Sequence, residues 1–221
     1  MRSFLQLFPL LACLLAGPPA SAQPRHLWHD YPVAGRTRGT LTAVIEIPKG
    51  SRRKLEVDKR PLPVGGALFL DRRIQTRGYP LNYGFIPRTM YQDGDPLDVM
   101  VIGGKAARPG SVVNARLIGL MEMTDTGVRD SKLLAVDATS RRFARVTSVQ
   151  DLPQGLQQDL RDFFEHYKQA QGKTVTVGAF GGLRSARACL GWSRRRYQQK
   201  FGPEPSSATR GNPTSSSIPS R

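Results

Sequence analysis

Asp93, Asp95 and Asp98 fall within six residues, in the run Tyr91-Gln-Asp93-Gly94-Asp95-Pro96-Leu97-Asp98. This spacing sets hard oxygen ligands around one turn, and Pro96 limits how far the turn can flex. Such donors suit Mg²⁺, Mn²⁺ or Ca²⁺, and the run holds no His or Cys that would favour zinc. An EF-hand loop is excluded, because its fifth and twelfth positions would be Leu97 and Gly104. Taken alone, the three aspartates fit a solvated Asx turn as well as a metal site.

Recurrence of acids along the chain favours the metal. Asp125 and Asp130 bracket a second turn, and Lys132 lies two residues on, on the same side of a strand as Asp130. Glu46 interrupts an apolar run, and Lys54 and Glu56 share one strand face by period-two spacing. A buried carboxylate needs a partner, so acids set into apolar strands should line a polar cleft. Charges that protect edge strands would account for one or two of them, less readily for seven. Lys54, Arg72, Lys132 and Lys168 would supply fixed positive charge, and Tyr79, Tyr83 and Tyr167 hydroxyls for phosphate oxygens. The chemistry this set suits is metal-assisted phosphoryl transfer to water.

The elements that must position these residues are mostly strands. Leu41 to Ile47, Lys54 to Asp58, Ala67 to Asp71, Asp98 to Ile102, Val112 to Met123 and Lys132 to Ala138 are rich in Val, Ile and Leu. Gly, Pro and Asp punctuate them, which predicts a barrel or a sandwich. The period then changes: Leu152, Leu156, Leu160, Phe163, Phe164 and Tyr167 mark an amphipathic helix capped near Asp151. A strand over 174–180 and a basic helix over 183–198 follow. Residues 201–221 are too poor in apolar side chains to fold. Residues 23–40 read as an arm packed on the surface; its His26 and His29 have the spacing of a zinc pair but no cysteine or carboxylate cluster beside them.

At 221 residues the chain has room for one good core, a domain over 41–200 with extensions. The first 22 residues have the pattern of a secretory leader: Arg2, an apolar run from Phe4 to Gly17, then Ala20-Ser21-Ala22 as the cleavage site. The expectation is an exported, periplasmic or extracellular protein that starts at Gln23. Lipidation at Cys13 is a minor alternative, because the apolar run continues past it. Cys189 is then the single cysteine, which excludes an internal disulfide and reads as a small buried residue. Net charge is +16, and Arg184, Arg187, Arg194, Arg195, Arg196 and Lys200 have no acid between them. That field could meet nucleic acid or an anionic surface, against the plainer reading of a solvated helix face.

The Asp93-to-Val99 segment resembles the signature of the soluble family I inorganic pyrophosphatases. Segments in the family's order surround it: Ile45-Glu46-Ile-Pro48, Lys54-Leu-Glu56-Val-Asp-Lys59, Ala67 to Arg72, Tyr79-Pro-Leu-Asn-Tyr83-Gly, Met123 to Lys132 and Phe163 to Lys168. The resemblance implies an α+β, mainly β fold, an OB-like five-stranded β-barrel with flanking α-helices. It also implies Mg²⁺-dependent hydrolysis of inorganic pyrophosphate, with several Mg²⁺ ions per site and Mn²⁺ as a substitute.

By motif position Asp93, Asp98, Asp125 and Asp130 would hold metal, and Glu46 and Glu56 would reach it through water. Asp95 would be the general base. Lys54, Arg72, Tyr79, Tyr83, Lys132, Tyr167 and Lys168 would bind substrate. Glu165 and His166 match the family segment but fall on the other helix face. Thr126 and Arg129 stand where relatives are commonly acidic, and residues 60–65 resemble a small insertion. A homo-oligomer is the family's usual state. Two other readings stay open: an exported hydrolase of other phosphoanhydrides, and a non-catalytic anion- or nucleic-acid-binding module on the same barrel.

Overall fold

The computed structural model describes residues 25–62, 65–66, 68–74, 77–103, 105–153 and 155–203, with backbone only for 68–74. The expected leader over 1–22 and the part of the predicted tail after 203 lie outside these residues. The strands are β1 (Leu41–Ile47), β2 (Arg53–Val57), β3 (Leu68–Ile74), β4 (Asn82–Phe85), β5 (Asp98–Ile102), β6 (Val112–Asp125), β7 (Val128–Arg129), β8 (Lys132–Asp137) and β9 (Val175–Gly181). The helices are α1 (Leu156–His166) and α2 (Leu183–Phe201).

Strand β1 pairs antiparallel with both β4 and β6, β4 with β5, and β6 with β8, while β5 and β8 run parallel. These pairings close the ring β1-β4-β5-β8-β6, a five-stranded barrel without a free edge. Strands β7 and β9 extend the sheet from β6, and β2 and β3 form a separate two-stranded sheet. Closure depends on Gly84: a Cβ there would meet the Val44 carbonyl oxygen at 1.8 Å, so only glycine lets β4 lie this close to β1.

Apolar side chains fill both sides of the barrel wall. Ile47, Met100, Ile118, Leu134 and Val136 pack with Leu160, Phe163 and Phe164 of α1. Ala43, Val99, Val101, Leu133 and Ala135 pack with Ala186 and Leu190 of α2. Strands covered on both faces read as continuous apolar runs, which is why β1 is buried from Thr42 through Ile47.

Asp151 does not cap α1. Its carboxylate accepts hydrogen bonds from the backbone of Thr147 and Ser148 at 2.8 and 3.0 Å and closes a separate 3₁₀ turn over Val149–Asp151. Leu152 and Pro153 are extended or irregular, and α1 starts behind Gly155, whose φ of 85° suits glycine. The apolar spacing therefore continued through a break in the helix. Strand β4 was also missed, because Asn82-Tyr83-Gly84-Phe85 has neither branched residues nor alternation.

The N-terminal arm is inserted rather than laid on the surface. Trp28 and His26 are 3% and 2% exposed, and the Trp28 indole donates to the Thr89 carbonyl at 2.8 Å. His26 Nε2 contacts the Arg60 carbonyl at 2.9 Å, and His29 Nδ1 contacts the Tyr197 hydroxyl at 2.6 Å. With these partners the two histidines serve as packing and hydrogen-bonding groups. Cys189 is partly buried. No helix among the described residues is long and apolar enough to cross a membrane.

Candidate active site

The loop from Tyr91 to Asp98 is fixed by its own backbone. Tyr91 N–H donates to the Asp95 carbonyl at 2.7 Å, and Asp95 N–H donates to Asp93 Oδ1 at 3.0 Å. Gly94 supplies the positive φ of 89° that the turn requires. Buried Thr89 ties the loop down: its hydroxyl donates to the Ile86 carbonyl and accepts from Leu97 N–H. Asp93 and Asp95 are thus held at the barrel's rim, and Asp98 begins β5.

Strand register brings the remaining groups to them. In the parallel β5–β8 pair Val99 lies opposite Leu133, so Asp98 and Lys132 are neighbours one residue earlier. Lys132 Nζ is 2.5 Å from both Asp98 Oδ2 and Asp130 Oδ1, although Lys132 is only 1% exposed. Glu46 sits where the β1–β4 register shifts between Ile45 and Ile47. Such a bulge redirects a side chain, and this one turns into the cleft, where Glu46 Oε1 accepts from Val57 N–H at 2.8 Å. Lys54 pairs with Glu56 on β2, and Lys168, just beyond α1, pairs with Asp125 at the end of β6. The Tyr83 hydroxyl donates to Asp98 Oδ2 at 2.5 Å.

Thirteen of the fourteen candidate residues line one cavity of about 170 Å³: Glu46, Lys54, Glu56, Tyr79, Tyr83, Asp93, Asp95, Asp98, Asp125, Asp130, Lys132, Tyr167 and Lys168. Arg72 lies in β3, whose side chains are outside the description. Glu165 and His166 do not line the cavity; Glu165 accepts from Val177 N–H at 3.2 Å instead. The cavity adds Lys59, which lies within a family-like segment but outside the residues expected to bind metal or substrate. Lys59 follows the end of β2, so the period-two rule that paired Lys54 with Glu56 does not reach it. Its Nζ is 2.5 Å from Asp95 Oδ1.

The cleft holds seven carboxylates against four lysines, an acid excess inside a chain of net charge +16. Crowding and burial show in the titration of its acids. Burial, then the Asp98 charge, pushes Glu46 up to about 8. Burial raises Asp130 to about 6, with Lys132 opposing, and burial also raises Asp93. At Asp125 burial is outweighed by hydrogen bonds from Lys168 and Thr126, and its carboxyl is lowered. Lys132 is held protonated by Asp98 and Asp130 against its burial. Tyr79 is 2% exposed, and its hydroxyl has no hydrogen-bond partner among the described residues.

Among the described residues no three acidic or imidazole groups converge as a closed shell around one ion, since ammonium groups stand between the carboxylates. The donor chemistry still fits hard divalent cations: all-oxygen ligands, surplus negative charge and acids with raised pKa values. Zinc is a poor match, as no His or Cys among the described residues lines the cavity.

Comparison with known proteins agrees with this arrangement. A family model described as inorganic pyrophosphatase matches residues 43–198. Soluble inorganic pyrophosphatase 2 of Chlamydomonas reinhardtii is 38% identical over 179 residues, spanning 80% of this chain and 91% of that protein. The crystal structure of inorganic pyrophosphatase from Thermus thermophilus superposes with a TM-score of 0.70 at 34% identity, covering 79% of this chain and 99% of that one. The Helicobacter pylori enzyme gives 0.67 at 37% identity over 75% and 97%. Matched through the barrel and through every segment that lines the cleft, the chain belongs to the soluble family I inorganic pyrophosphatases.

Proposed function

We propose that the chain hydrolyses inorganic pyrophosphate to two phosphates in a Mg²⁺-dependent reaction. The observation that carries the reading is the convergence of seven carboxylates and four lysines in one small polar cleft. When bound by Asp93, Asp98, Asp125 and Asp130, with Glu46 and Glu56 acting through water, Mg²⁺ would supply an acidified water and neutralise phosphate charge. Asp95, on the rim and about half exposed, accepts the proton of the attacking water. Lys54, Lys132 and Lys168 exchange their carboxylate partners for phosphate oxygens, and Arg72 is assigned to substrate by motif position alone. The Tyr79 hydroxyl, without a partner among the described residues, donates to substrate, as does Tyr167, and Tyr83 does so on releasing Asp98.

A substrate panel of pyrophosphate, tripolyphosphate and ATP, with Mg²⁺, tests the choice of substrate. Pyrophosphate should be preferred by at least about tenfold in kcat/KM, because charged and hydroxyl side chains predominate in the cleft lining. Equal rates on ATP would support the broader phosphoanhydride hydrolase instead. Binding of nucleic acid through α2, without phosphate release, would support the non-catalytic module.

The proposal extends to an exported homo-oligomer. Support for export is the leader pattern ending at Ala22. N-terminal sequencing of the protein made in a secreting host should read from Gln23; retention of the leader in the cytoplasm would refute export. Sedimentation of the purified chain would give the number of subunits.

A further inference from the structure

The cleft lies between two separate sheets, whose apolar cluster joins Val57 of β2 with Val44 and Phe85 of the barrel. One wall is the two-stranded β2–β3 sheet, which carries Lys54 and Glu56; the other is the barrel with the Asp93–Asp98 turn. Glu46 and Val57 N–H join them at one point, and Lys59 and Asp95 join them at another, with Nζ 2.5 Å from Oδ1.

Both ends of the second link are anchored. Asp58 and Arg60 flank Lys59, and each is fixed: Gly66 N–H donates to the Asp58 carbonyl at 2.7 Å, Arg60 N–H donates to Asp58 Oδ1 at 3.0 Å, and His26 Nε2 meets the Arg60 carbonyl at 2.9 Å. Asp95 is held on both sides of its own backbone by Asp93 Oδ1 and Tyr91 N–H. Only the side chain of Asp95 has torsional freedom, and at 48% exposure nothing but Lys59, among the described residues, restrains it.

We propose that Lys59 is a positioning residue for Asp95. It holds Oδ1, so that Oδ2 is the oxygen left to take the water's proton. The inference rests on the pyrophosphatase reading and assigns a role to a lysine outside the predicted set. Misorientation of a base is expressed in turnover more than in binding, since substrate is gripped by other groups.

The test compares Lys59→Met, Lys59→Gln and Lys59→Arg in the full chain, with steady-state kinetics on pyrophosphate at saturating Mg²⁺, thermal melting, and Mn²⁺ binding followed by EPR without substrate. Lys59→Met should lower kcat about tenfold with KM within about twofold, and Lys59→Arg, which can still pair with a carboxylate, should recover much of the loss. Mn²⁺ affinity should stay within about threefold in all three variants, because Lys59 pairs with the base and with no assigned ligand. If Lys59→Met does not fold, the neutral Lys59→Gln is read in its place against Lys59→Arg. An unchanged kcat, a rise in KM at constant kcat, or equal losses in the Arg and Met variants would each overturn the role. A wild-type protein that releases no phosphate strikes the underlying reading, a result separate from an active wild type with unaltered variants.

Discussion

Asp98 stands beside Lys132 because β5 and β8 run parallel in register, and a partly exposed carboxylate meets a buried ammonium at 2.5 Å. Lys132 also holds Asp130, so Lys132→Met leaves two crowded carboxylates without their shared cation. In EDTA the variant should lose about 3 kcal/mol of stability, the cost of breaking a buried pair. Added Mg²⁺ should stabilise it more than it stabilises the wild type, as the ion binds the vacated carboxylates. Calorimetric melts with and without Mg²⁺ check both statements, and equal Mg²⁺ stabilisation would contradict the second.

Tyr79 predicts the opposite sign for stability. Its hydroxyl is buried without a partner among the described residues, so Tyr79→Phe removes an unsatisfied group and should be neutral or slightly stabilising. If the hydroxyl donates to phosphate, kcat/KM should fall about tenfold or more. Urea melts and kinetics on the same preparation separate the two effects.

Gly84→Ala tests barrel closure. The added Cβ would sit 1.8 Å from the Val44 carbonyl oxygen, a backbone atom that cannot swing away. The expected outcome is a loss of about 3 kcal/mol or more, or failure to fold, measured by urea denaturation.

His29 gives the fold an acid-sensitive point away from the cleft. Burial, aided by His26, lowers its pKa from 6.5 to about 4, and its Nδ1 contacts the Tyr197 hydroxyl. With the folded value below the unfolded one, the unfolded chain takes up the proton first. The group's contribution is therefore full above about 6.5, is lost as the pH falls toward 4, and changes no further below that. After allowance for a partly exposed ring it amounts to about 2 kcal/mol. Melting His29→Gln and wild type between pH 7 and 4.5 should show a shallower decline in the variant.

How far the site could be read from sequence depended on whether local period or tertiary register places each residue. Lys54 with Glu56 and Asp130 with Lys132 are two residues apart, and alternation puts each pair on one side. The meeting of Asp98 with Lys132, or of Asp125 with Lys168, follows from strand pairing and helix docking that no short window contains. The ordered family segments supplied those contacts. Lys59 escaped because it lies past a strand end, where no period applies, and Asp151 misled because a single apolar stripe ran across the break at Leu152 and Pro153. The barrel itself was legible in its runs of branched residues, apart from β4, whose Gly84 is present for closeness and not for strand propensity.

The central claim is that this cleft hydrolyses pyrophosphate with Mg²⁺ and that Asp95 takes the water's proton. The direct measurement is phosphate release from pyrophosphate by wild type and Asp95→Asn, each with Mg²⁺ and with EDTA, alongside Mn²⁺ binding to the free proteins. The account predicts release by the wild type only with Mg²⁺, and a loss of about a hundredfold or more in kcat for Asp95→Asn with Mn²⁺ binding retained. No metal-dependent release from folded wild type, or an unchanged rate in Asp95→Asn, would contradict it.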